Sequence, residues 1–214
     1  MGTRNLTMVI QDQQTKVAQY GQWDGYPEGQ GLTILSFLEE KTNIEKLKQI
    51  LPKVRFENKQ DMKQKSEFFK SMGAEDGWMN MEQADQFHKR YPLLTRNLGG
   101  EILSKMLEYA NQKEIVLVNS EDFALDSLFC EWAYVVDLDK NTLEVYKGFN
   151  QSAITPKDRF YNLYDKKNRY KPIKIVKSFS LDKLPDAEKF ISECNKQHQR
   201  DKTLSKSQDN DLER

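Results

Sequence analysis

The stretch LFCEWAYVVDLD, residues 128–139, constrains the fold more than any other part of the chain. Successive residues of a strand point to opposite faces of its sheet. Leu128, Cys130, Trp132, Tyr134, Val136 and Leu138 would share one face, and Phe129, Glu131, Ala133, Val135 and Asp137 the other. A strand apolar on both faces is a central strand, covered on both sides. The polar turn DKNT and the run TLEVYKG that follow predict a hairpin, with Asn141 in the left-handed conformation a short connection needs.

The remaining segments supply neighbours for that strand. TRNLTMVI alternates Leu6, Met8 and Ile10 against Asn5, Thr7 and Val9, and KVAQYG resumes an extended pattern after QDQQT, which predicts a first hairpin with one face covered. Helical spacing predicts one helix from Leu32 to Glu40 and a second, capped by Thr42, that carries Ile44, Leu47, Ile50 and Leu51 before Pro52. Further helices are expected over 58–73, from Asn80 to just before Pro92, and from Gly99 to Asn111. EIVLVN and PIKIVKSF are expected strands, with a short helical patch at 156–164. A last helix, 185–199, sets Ala187, Phe190, Ile191 and Cys194 on one side. No linker rich in Pro, Gly or Ser divides the chain. The expectation is one α+β domain over residues 1–200, a layered sandwich of mostly antiparallel sheet with helices inserted after the first hairpin, followed by a disordered polar tail at 201–214.

Charge excludes little by itself. The 33 basic and 33 acidic side chains balance, although residues 41–72 and 155–178 are basic and 101–146 acidic. Such runs are ordinarily solvated faces; read instead as a nucleic-acid surface, they predict binding that weakens steeply with salt, and the balanced net charge argues against it. Cys130 and Cys194 have no paired spacing, and His88 and His198 lie far from them in sequence, so neither a disulfide scaffold nor a His/Cys metal site is expected. GxGxxG and GxxxxGK[ST] are absent, and no cofactor is expected. With no apolar run of membrane-spanning length and no signal-peptide pattern, the expected location is the cytoplasm, with no membrane partner.

The stretch GQWDGYPEGQG, residues 21–31, is the one place where a site is suggested. Its glycines let backbone N–H groups approach a ligand, and it runs into a helix N-terminus. Trp23 and Tyr26 offer flat faces, while Gln22, Asp24 and Gln30 can read a polar edge. This combination suits a small polar or nucleotide-like ligand, or a protein partner; the alternative is a loop in which the aromatics cover the sheet end and the glycines only make the turn. Glu131 is a second candidate, because a carboxylate within a buried strand must be paired or protonated. Arg4 on the first strand is a possible partner for it. Cys130 points to the opposite face from Glu131, and a cysteine nucleophile would need a base within reach.

Taken together, MGTRNLT, QYGQWDGYPEGQG and LFCEWAYVVDLD resemble a family of uncharacterised proteins of phages, bacteria and fungi, over most of the chain to about Gly148. The resemblance implies a phage-associated role in host takeover or counter-defence, and no activity. A weaker resemblance is to the N-terminal-nucleophile hydrolases, whose chains also open with a hairpin entering an αββα fold. It implies an amide-hydrolase pocket formed by Thr3, Arg4, Asn5, Asp24 and Glu131. The chain departs from that pattern where it matters most: Thr3 could serve as the nucleophile only after Met1 and Gly2 were both removed.

Overall fold

The computed structural model describes residues 2–74, 78–165, 167 and 170–196, so the tail at 201–214 and His198 lie outside the described residues. Among the described residues, seven strands and six α-helices make up an α+β fold. The strands are β1 (Asn5–Gln11), β2 (Gln14–Gly21), β3 (Val54–Phe56), β4 (Ile115–Leu117), β5 (Trp132–Asp137), β6 (Thr142–Lys147) and β7 (Lys174–Ser180). The helices are α1 (Leu32–Glu39), α2 (Lys41–Ile50), α3 (Lys59–Ser71), α4 (Met81–Arg90), α5 (Ile102–Glu108) and α6 (187–196). No helix among the described residues is long and apolar enough to cross a membrane.

The main sheet has the order β2-β1-β5-β6-β7. Its hairpins are antiparallel and β1 runs parallel to β5. A parallel neighbour requires a long crossover, and the helical segment between β2 and β5 provides it. β3 and β4 form a separate two-stranded parallel ribbon. The described residues thus build one five-stranded sheet and a ribbon, rather than the two stacked sheets of an αββα sandwich.

The sheet's two faces are covered differently. Val9, Val17, Trp132, Tyr134, Val136, Leu143 and Val145 pack against α1, α2, α5 and α6. Leu6, Met8, Ala133, Val135 and Tyr146 on the other face are covered by irregular segments through Ala124, Cys130, Phe160 and Ile173. β1 is therefore buried on both faces, not on one, because its parallel pairing with β5 moves it inside the sheet.

Other expectations change locally. The strand expected over 128–139 is shortened to β5, because a turn at Asp126 accepts the backbone N–H groups of Leu128, Phe129 and Cys130 and ends the extended run. Cys130 and Glu131 consequently precede the strand. Thr42 does not cap α2, whose N-cap is Glu40 without a side-chain bond. Asn58 and Asn80 do cap α3 and α4, each in a reciprocal capping box. Asn141 has φ 56°, as its hairpin requires, and Asp12 and Gln13 adopt the same conformation in the first hairpin.

Candidate functional site

Register brings the sequence-predicted residues to one end of the sheet. Asn5 is opposite both Gly21 and Trp132, and Trp132 is opposite Lys147. The segments just beyond these positions, 2–4, 22–31, 126–131 and 148–151, therefore meet at this end.

The 21–31 loop is tightly tied. Gly25 donates its N–H to the Thr3 carbonyl, Gln30 donates to the Asp24 carbonyl at 2.8 Å, and Gly29 and Gly31 donate to Tyr26. Pro27–Gly31 forms one π-helical turn that leads into α1. The buried Tyr134 hydroxyl donates to the Gly25 carbonyl at 2.8 Å and fixes the loop to the sheet. Gly31 faces the same packing: a Cβ there would lie 2.9 Å from Phe190 and 3.1 Å from Tyr134.

The candidate polar residues divide by role. Gln22 Oε1 accepts from the Tyr20 hydroxyl at 2.6 Å and from Arg96 at 2.8 Å. Gln30 Oε1 accepts from the Gly100 N–H at 2.6 Å. Both side-chain oxygens tie the loop to the 95–100 segment. Asn5 is fully buried; its Nδ2 donates to the Gly21 and Trp23 carbonyls, and it braces the loop from beneath. Thr3 is buried as well, so its hydroxyl is not presented to a substrate in this conformation. Asp24, with φ 54°, carries its carboxylate outward. Glu131 is half-buried rather than enclosed in a strand, and accepts from the Arg4 backbone N–H at 3.2 Å. The Arg4 guanidinium lies over the Phe129 ring, 4.6 Å from its centre. Replacing Gln30 with Ala leaves the buried Gly100 N–H without its acceptor; a loss of about 1–3 kcal/mol is expected, measurable by urea unfolding.

Four aromatic rings are exposed at this end: Trp23 at 52%, Tyr26 at 51%, Phe129 at 42% and Phe149 at 60%. Phe149 also borders a shallow cleft of about 320 Å³ with Leu128 and Tyr170. Neither Phe129 nor Phe149 is marked by local sequence: Phe129 falls in the alternation of a buried strand face, and Phe149 sits at φ 55° in a loop with no local pattern.

The cysteines are free and buried. Burial pushes the Cys194 thiol up to about 12 and the Cys130 thiol higher still, so both are held protonated, the opposite of an activated nucleophile. No cluster of His, Cys, Asp or Glu among the described residues could hold a metal ion.

The opposite end of the sheet carries a charged cluster that sequence reasoning missed. Asp137 and Glu144 are 2% and 6% exposed. Arg159 bridges their carboxylates, and its Nε also bonds Glu144 at 2.9 Å. The Tyr146 hydroxyl donates to Glu144 at 2.6 Å. Burial alone would raise the Asp137 carboxyl, but Arg159 and the Lys140 backbone N–H outweigh it and hold Asp137 below the usual carboxylate range. Burial, the Glu144 charge and its hydrogen bond push the Tyr146 phenol up.

No protein-family model, curated protein or solved structure matches this chain.

Proposed function

We propose that this is a binding protein whose partner is another protein, engaged through the aromatic end of the sheet. The observation that carries this reading is the exposure of Trp23, Tyr26, Phe129 and Phe149 at one end, on segments held by hydrogen bonds. Aromatic rings and Arg are enriched in protein interfaces; the rings bury large area at little loss of conformational freedom, and Arg adds charge and hydrogen-bond donors. Arg4 over Phe129, and the outward carboxylate of Asp24, supply a polar edge to this patch. A protein is favoured over a small polar ligand, because the Gln22 and Gln30 oxygens and the Asn5 amide nitrogen brace the loop and the four rings are exposed. A host protein bound by a phage-associated chain in the cytoplasm is the form of this proposal that the family resemblance implies.

Site-specific photocrosslinking tests it. A photoreactive phenylalanine analogue at position 23 or 149 is expected to capture the same protein, and the analogue at Leu163, exposed at the opposite end of the sheet, is expected not to. Equal capture at all three positions, or none at 23 and 149, contradicts the proposal.

A further inference from the structure

The cluster at the other end of the sheet opens into a cleft of about 480 Å³, independent of the aromatic end. Its apolar wall is Met8, Ile10, Phe160 and Leu163, and Asp137 lies on its polar side. Carboxylates set into an otherwise apolar face are not needed for stability, since well-packed apolar side chains of similar volume commonly serve as well or better. Asp137 and Glu144 are moreover held in fixed geometry by Arg159 and Tyr146. An apolar pocket with a few fixed polar groups is the arrangement of a small-molecule site.

Charge decides what such a site would accept. Three carboxylates line the cleft, Glu121, Asp137 and Asp139, against Lys140 and Arg159. Arg159 is already engaged by the buried pair. Lys140 is held differently: its ammonium stands 3.7 Å from both Asp137 and Glu144, and its side chain is 63% exposed. It is a loosely held cation that can leave.

We propose that this cleft binds a small organic cation, a primary amine or guanidine on an apolar body, whose head takes the Lys140 ammonium's place beside Asp137. The body then lies along Met8, Ile10, Phe160 and Leu163.

Two probes of one shape and opposite charge test this: 2-phenylethylamine and 3-phenylpropionate, titrated into isotopically labelled protein and followed by NMR shifts of the cleft residues. The amine is expected to bind and the carboxylate not to bind. Lys140→Ala removes the competing ammonium and is expected to tighten amine binding by about threefold to fivefold, the scale of an exposed ion pair. Leu163→Trp fills the cleft mouth and is expected to abolish the amine shifts. Both positions are exposed, and an unchanged Tm verifies that each variant folds. Absence of amine shifts in both wild type and Lys140→Ala overturns the proposal. So does better binding of the carboxylate, weaker amine binding by Lys140→Ala, or full amine binding by Leu163→Trp.

Discussion

Replacing Arg159 with Met is expected to destabilise the fold by about 3–5 kcal/mol at neutral pH, because it takes from two buried carboxylates the guanidinium hydrogen-bonded to both and leaves them the more distant Lys140 ammonium. Asp137 and Glu144 lie on the face of the sheet that irregular segments cover, and Arg159 on one of those segments satisfies both. Its neighbour Phe160 is buried at 2% exposure on the same face, so losing the ion pairs also loosens that cover. The pH dependence separates this account from a simple packing loss. In the wild type, Asp137 has a folded-state pKa below its unfolded value. Its contribution is therefore present above the unfolded pKa and is lost as pH falls through the folded one. Without Arg159, burial is left as the dominant influence and raises the Asp137 pKa above the unfolded value. At this site the folded variant then binds protons more readily than its unfolded chain, so its deficit against wild type narrows as pH falls from 7 towards 4. Urea unfolding of both proteins at several pH values reads that deficit. A deficit that stays constant or widens over this range would mean that Arg159 does not set the state of Asp137.

Gly148→Ala is the second large effect. A Cβ at Gly148 would stand 2.2 Å from the Cys130 carbonyl and 2.5 Å from that of Ser127, both backbone atoms that cannot rotate away. The two bonds that hold this corner, Gly148 N–H to the Glu131 carbonyl and Phe149 N–H to the Ser127 carbonyl, must then lengthen or break. A loss of about 3 kcal/mol is expected, at the upper end of ordinary overpacking. Hydrogen exchange localises the damage: the amides of 148 and 149 are expected to lose protection before those of β1 and β2. Uniform loss of protection across the sheet would show that this corner is not a local brace.

These two sites mark the boundary of what was legible in the sequence. Trp132–Asp137 and its hairpin were legible because burial on both faces leaves a near-continuous apolar run, and because Asn141 suits the conformation its turn requires. Asn58 and Asn80 were legible as positions near helix starts for a similar local reason, since a capping side chain acts within three residues of itself. Partners distant in sequence left no such trace. β1 pairs with β5 across more than a hundred residues, and only that pairing explains why Asn5 and Thr7 are buried. Three-residue β3 is too short to show any period. Gln22 and Gln30 carry side chains suited to a ligand, yet their partners, Arg96 and Gly100, are some seventy positions away. Asp137 was visible only as one polar residue on a strand face. Nothing local to it announces Arg159, which lies 22 residues further along.

The proposed function depends on the aromatic end acting as one surface, and its most direct test is an affinity measurement with the partner that crosslinking identifies, purified free of the crosslink. Trp23→Ala combined with Phe149→Ser removes two exposed rings without entering the core, so the Tm is expected to stay within about 2 °C of wild type, as for surface substitutions. Truncating two central aromatic anchors is expected to weaken binding by at least about a hundredfold, the scale of two interface hot spots. An unchanged Tm with a hundredfold loss is the result this account predicts. An unchanged affinity in the folded double variant would contradict it.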